Sequence, residues 1–135
     1  WVSGRCMVKQ FVKNDKQYWE FIRELRNHPE VKEGFVNQDH IDRFDHALHM
    51  QRLGSHFYIC LVDNEPAGYA GVIRDDIRVA THPNFQKMGV ASFMIRELMK
   101  KHPAAFAKVK VENEASLRLF ESCGFKKKYY ILEKQ

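Results

Sequence analysis

The spacing of apolar residues switches between period two and period 3.6 along the chain, and the order of those switches predicts a mixed α/β sheet. Arg5 to Val12 reads as a first strand. Asn14 with Gln17 three positions on makes a capping-box pattern, and Tyr18, Phe21, Ile22 and Leu25 follow at helical spacing, predicting a helix near 15–26. Pro29 disfavours helix at His28, so that helix ends around Asn27, and Glu30 to Gln38 reads as a turn or short helical piece ending near Gly34. A second helix, about His40 to Arg52, is expected to carry Ile41, Phe44, Leu48 and Gln51 on one face. His56 to Asp63 is a buried-looking strand, 64–68 (NEPAG) a turn, and Tyr69 to Arg74 the return strand. Ile77 to Ala80 is a further short strand. Val90, Phe93, Met94 and Leu98 then mark a helix closed by Lys100, Lys101 and Pro103. Strict alternation from Ala105 to Glu112 predicts a strand with one wet face. Asn113 caps a last helix bearing Ser116, Leu119, Phe120 and Cys123 on one face, Gly124 ends it, and Phe125 to Glu133 reads as a final strand.

Composition narrows the class without naming a chemistry. At 135 residues the chain is expected to form a single domain, 1–135, with the 44% hydrophobic and 29% charged content of a soluble globule. No apolar run approaches the ~20 residues of a membrane span, and no signal-peptide pattern leads the chain, so no membrane partner is expected. Cys6, Cys60 and Cys123 are an odd count on separate elements, which predicts reduced thiols and a cytoplasmic location. A net charge of +5 suits an anionic ligand, but Lys and Arg are scattered, so nucleic acid is not an expected partner. His46 and His49 share a helical face near His40, yet no H-E-x-x-H or paired-cysteine pattern accompanies them, and no metal is expected. A homodimer is left open by these patterns.

The stretch with the most chemistry is Asp76 to Met99. A strand feeds a small-residue loop, Gln86-Lys87-Met88-Gly89-Val90-Ala91, at the start of the long helix. The first amides of a helix lack intrahelical partners and its dipole favours anions there. Gly89 and Ala91 let a phosphate approach the backbone, and Lys87 adds charge. Neither the Walker A nor the dinucleotide spacing is present. The loop does resemble the pyrophosphate loop of the GNAT acetyltransferase superfamily, Q/R-x-x-G-x-G/A. A second run, Asn113-Glu114-Ala115-Ser116-Leu117-Arg118-Leu119-Phe120 followed by Cys123-Gly124-Phe125, resembles that superfamily's later segment.

This resemblance implies a GNAT fold (α+β): a mixed twisted sheet of about six to seven strands, splayed at its centre and flanked by about four helices. It implies acetyl-CoA as cosubstrate and direct transfer of acetyl to a primary amine, with no acyl-cysteine. Backbone around Val79 to Thr81 would pair with the pantetheine arm, and the N–H near Val79 would hold the thioester oxygen. The pyrophosphate would lie on Gln86, Lys87, Met88, Gly89, Val90 and Ala91, with Asn113, Ser116 and Phe120 on the later helix. Phe120 stands where many such enzymes have a tyrosine acid, leaving Tyr129, Tyr130, Ser122 or water for that role. Asp75 and Asp76 are candidates for the base or for holding its water, against a reading as turn residues; His82 is a candidate shuttle. Leu25-Arg26-Asn27-His28-Pro29-Glu30-Val31 is similar to a run in enzymes that acetylate amino sugars on nucleotide carriers, so Arg26 and Asn27 either bind the acceptor or end a helix. A protein or peptide acceptor, and a non-catalytic CoA-binding module, are the rival readings.

Overall fold

The computed structural model describes residues 7–32 and 42–135. Four strands form one antiparallel sheet in chain order: β1 (Lys9–Lys13), β2 (Phe57–Val62), β3 (Glu65–Ile73) and β4 (Asp76–Thr81). Helices α1 (Trp19–Asn27), α2 (Pro29–Lys32) and α3 (Arg43–Leu53) lie between β1 and β2 in sequence, and α4 (Val90–Lys101) and α5 (Glu114–Ser122) follow β4. The expected α+β class is observed.

Two hydrophobic clusters sandwich the sheet. On one face Cys60, Val62, Ala70, Val72 and Ile77 meet Val90, Met94, Ile95 and Leu98 of α4 and Phe120 of α5. On the other, Ile59, Leu61, Tyr69 and Ala80 meet Ile22 and Leu25 of α1, Val31 of α2 and Met50 of α3. Alternate strand residues feed opposite clusters, as the pleat requires. At Gly68 a Cβ would stand 2.5 Å from the Ala80 carbonyl oxygen and 2.8 Å from Met94 Cε, so β3, β4 and α4 close on a bare backbone there.

The hairpins are tighter than the sequence suggests. Asp63 and Asn64, both at positive φ, join β2 to β3, and Arg74 and Asp75, also positive, join β3 to β4. Such two-residue turns match the twist of the strands they connect. Residues 65–68, expected in the turn, therefore belong to β3; Pro66 is accommodated where the β2–β3 register shifts at Cys60/Leu61.

Other expectations need correcting. Asn14 does not cap α1: its amide donates to the Gly54 carbonyl at 3.2 Å, tying β1's end to α3's end, and a 3-10 turn at Lys16–Tyr18 starts the helix. On α3, Phe44 and Leu48 point outward, while His46 and Met50 face α1 and the sheet. The anchor is polar: His46 Nε2 donates to the Trp19 carbonyl at 2.7 Å, and Asp42 caps the helix by accepting from the Asp45 amide at 2.8 Å. Ile41, Cys6 and residues 33–38 of the expected turn lie outside the described residues.

Among the described residues the strands number four, where about six to seven were expected. Ala105 to Glu112 touches β4 through a single parallel bridge, Asp76 to Phe106, and then leaves it. Phe125 to Glu133 has strand-like composition but no ladder among the described residues, and Tyr129, Tyr130, Ile131 and Leu132 are exposed. A strand is made by its neighbour's amides, and composition cannot supply the neighbour.

Candidate active site

The departure of residues 105–112 from β4 opens a cleft of about 700 Å³. The Ile77 amide donates to the Phe106 carbonyl at 2.9 Å and the Phe106 amide donates to the Asp75 carbonyl at 2.7 Å, so odd-numbered residues of β4 aim their amides away from β3. Even-numbered ones bond to β3, as the following His82 amide does to the Ala67 carbonyl at 2.8 Å. By the two-residue repeat, the N–H groups of Val79 and Thr81 face the cleft, which both residues line.

At the open end the chain turns through Pro83–Phe85 into the loop before α4. Lys87 and Gly89 both take positive φ, of 64° and 76°, which curls the loop back on itself. Gly89 is the N-cap of α4 and has no side chain with which to cap it; the first helical bond is Phe93 amide to Gly89 carbonyl at 3.0 Å. The amides of Val90, Ala91 and Ser92 therefore have no helical acceptor, and these residues line the cleft with Gln86, Lys87 and Gly89. Facing them, Asn113 Oδ1 caps α5 by accepting from the Ser116 amide at 3.1 Å, which leaves the Asn113 NH₂ as its remaining donor group. Asn113 and Ser116 both line the cleft.

The structure thus gathers Val79, Thr81, Gln86, Lys87, Gly89, Val90, Ala91, Asn113 and Ser116 around one cavity. Two other expected cofactor residues stand apart from that lining: Met88 is exposed, and Phe120 is buried in the core with its ring 5.1 Å from Phe125 in edge-to-face contact. Asp75 is an exposed hairpin-turn residue, and Asp76 lies at the closed end of the cleft, 3.5 Å from Arg78 Nε and 3.8 Å from Lys108 Nζ. Neither lines the cleft. Nor does His82, whose Nδ1 accepts from the Asn84 amide at 3.1 Å. Arg26 and Asn27 end α1; Arg26 lies against the other sheet face, beside Tyr69 and Arg78, where burial lowers its pKa.

Sequence reasoning missed Glu30 and Val31 of α2, Phe85, and Lys110, Glu112 and Leu119 on the opposite wall. The run from Leu25 to Val31 points to the neighbourhood of Glu30 and Val31, and the helical spacing of Leu119 with Ser116 to that of Leu119; the others carry no signal. Cys60 is buried and its thiol is pushed up to about 11 by burial, so it is an inert core residue. Among the described residues no group of His, Cys, Asp and Glu is arranged to hold a metal, and no helix is long and apolar enough to cross a membrane.

Comparison with known proteins places this fold among others. No curated protein sequence matches the chain significantly. Solved structures do match in fold. An aminoglycoside N-acetyltransferase in complex with CoA shares 15% identity at a TM-score of 0.72, over 97% of this chain and 96% of that one. The spermidine N-acetyltransferase of Vibrio cholerae, in complex with CoA and spermine, shares 16% at 0.77, over 93% and 85%. A Salmonella typhimurium protein solved with acetyl-CoA shares 19% at 0.71, over 87% and 79%. The model of the acetyltransferase (GNAT) family matches residues 16–125, most of the chain and all of the cleft. The chain therefore belongs to the acetyltransferase (GNAT) family.

Proposed function

We propose that the cleft holds acetyl-CoA with its pyrophosphate on the Gln86–Ser92 loop and its pantetheine arm along β4, and that acetyl passes directly to a small primary amine. The observation that carries this reading is the pair of outward amides at Val79 and Thr81, in the same cavity as the unpaired amides of α4. A pantetheine amide completes the sheet edge that residues 105–112 abandon. The Val79 N–H is then placed to hold the thioester oxygen as it gains charge during attack. Asn113 and Ser116 would close over the arm from α5. The neighbours that bind CoA, acetyl-CoA and spermine support a cosubstrate and small-amine reading.

The amine must attack neutral. A lysine side chain, pKa about 10.4, is neutral in roughly one molecule in two thousand near pH 7, a cost of about 4.6 kcal/mol; an amine of pKa near 8 costs only about 1.4 kcal/mol. Asp75 and Asp76 stand outside the lining, so among the described residues Glu30 and Glu112 are the carboxylates left on its walls to take that proton, and a low-pKa amine asks least of them. We therefore favour α-amines and amino sugars, including sugar nucleotides, over lysine side chains. Asp76 remains a proposed water-holding group at the closed end.

Thiol release from acetyl-CoA with a panel of amino sugars, amino sugar nucleotides, peptides and lysine-bearing proteins tests this. Turnover should be fastest with the low-pKa amines and kcat/KM should rise with pH until the acceptor is neutral. Turnover confined to lysine-bearing proteins overturns the acceptor class. CoA binding with no turnover on any amine overturns the enzymatic reading in favour of a binding module.

A further inference from the structure

Beside the cleft, the described residues on the sheet face under α1 and α3 carry more positive than negative charge. Tyr69 stands opposite Ala80, and Arg78 opposite Gly71, so the register sets Tyr69, Arg78 and Ala80 together on that face. α1 packs on β3 and β4 and brings Arg26 within electrostatic reach of Tyr69 and Arg78, and α3 contributes His49, whose ring lies 6.3 Å from Phe57, itself 5.7 Å from Tyr69. Ala80 also lines the cleft, and Arg78 immediately precedes Val79. At ~3.3 Å per strand residue, these groups sit within one or two residues of the proposed thioester site.

Among the described residues the charges do not balance. Among the described residues no carboxylate pairs with Arg26, though it is mostly buried; the groups acting on it are Tyr69 and Arg78. Arg78 shares one carboxylate, Asp76, with Lys108, and both contacts are long. His49 feels Arg26, His46, Arg78 and Arg52, with no acid among them. Burial pushes the Tyr69 hydroxyl up to about 12, so it is a neutral donor at physiological pH. A buried guanidinium without a counter-ion is costly, and its planar fork matches a carboxylate or a phosphate.

We propose that Arg26, Arg78 and the Tyr69 hydroxyl form a receptor for an anionic group on the acceptor, so that the substrate is an amine that also carries a carboxylate or a phosphate. The inference rests on the acetyl-transfer reading and narrows it. An anion bound there aligns its amine with the cleft at Ala80, whereas a polyamine meets only like charge.

Matched acceptors test it: an α-amino acid against its amide, glucosamine 6-phosphate against glucosamine, and spermidine. Wild-type kcat/KM should favour at least one anionic member over its neutral counterpart by tenfold or more, and the two pairs tell carboxylate from phosphate. Arg26→Gln and Arg78→Gln should raise KM for that acceptor at least tenfold, and in Arg26→Gln KM for acetyl-CoA and turnover of the neutral counterpart should stay within twofold. Arg26→Gln should also hold or raise Tm, because it removes an uncompensated charge; a merely structural arginine would lower it. Equal use of both members of each pair, a preference for spermidine, or losses shared by all acceptors overturns the receptor. If no amine is turned over, the acetyl-transfer reading fails separately. The receptor is then judged on the CoA-loaded protein, where phosphate or acetate should raise Tm in wild type and not in Arg26→Gln; no difference between the two overturns it.

Discussion

The bond from the Ile77 amide to the Phe106 carbonyl belongs to the one bridge that joins β4 to the chain after α4. Had the pairing continued, the Val79 and Thr81 amides would have been consumed by a fifth strand. The cleft exists because the ladder stops there.

Gly89 offers the most direct handle on cosubstrate binding. Its φ of 76° strains any side chain, yet nothing lies within 4 Å of an added Cβ, so a substitution has room. Left-handed backbone costs a non-glycine residue about 1–2 kcal/mol, a drop of roughly 2–8 °C in Tm. We expect Gly89→Ala to show that drop and keep most of the thermal shift produced by CoA. Gly89→Glu should show a similar drop and lose the shift, because its carboxylate would face the pyrophosphate. A full CoA shift in Gly89→Glu would remove this loop from the binding site.

Phe120 should matter for stability and little for chemistry. It is 5% exposed and packed on Phe125, away from the cleft lining. Phe120→Leu should cost about 1–2 kcal/mol in denaturant unfolding and leave kcat within a few-fold. Phe120→Tyr must bury a hydroxyl and should also destabilise, without raising kcat. A thousandfold fall in kcat for Phe120→Leu, with CoA binding intact, would place the ring in the reaction.

The parts of the site that the sequence displayed are those built by local backbone rules. Gln86 to Ala91 and the Asn113 cap depend on residues within one helical turn, so their spacing survives translation into structure. Asp75 was ambiguous because a turn aspartate and a catalytic one look alike until the hairpin's positive φ angles are known. Lys110 reaches the cleft only through tertiary packing, and nothing near it in sequence marks it, whereas Glu30 lies in the run from Leu25 to Val31 that points to an acceptor through Arg26 and Asn27 instead. The face of α3 was misread because one hydrogen bond from His46 to the Trp19 carbonyl and the burial of Met50 outweigh two phenylalanine- and leucine-sized side chains left in water. The final segment failed as a strand for want of a partner.

Gly68→Ala should be among the most damaging single-methyl additions in the fold. The new carbon would meet the Ala80 carbonyl oxygen at 2.5 Å, and backbone cannot swing aside as a side chain can. A loss of about 1–3 kcal/mol is expected from overpacking alone, read as a lower denaturant midpoint. Unchanged stability would mean that β3 and β4 yield more readily than their paired ladder implies.

Acid should weaken the protein partly through His49. Burial, then Arg26, His46, Arg78 and Arg52, holds it down at about 4, against 6.5 when free. Between those values the unfolded chain takes a proton that the native state refuses. Its contribution is therefore whole above about pH 6.5 and drains away as the pH falls toward about 4. His46 shifts in the same direction, burial again coming first. Tm measured from about pH 7 to 4.5 should fall less steeply in His49→Gln than in wild type. Parallel curves would show that the imidazole already finds a counter-ion in the native state.

The outward amides of Val79 and Thr81 also bear on how the protein behaves when starved of cosubstrate. An unfilled strand edge is a template on which another chain can grow, and it is the usual seed of sheet-to-sheet aggregation. A pantetheine arm along β4 would occupy that edge, so acetyl-CoA would keep molecules apart as well as feed the reaction. Stripped of CoA and concentrated, the protein should scatter light sooner than the loaded form, which makes colloidal lifetime a second reporter of occupancy alongside turnover.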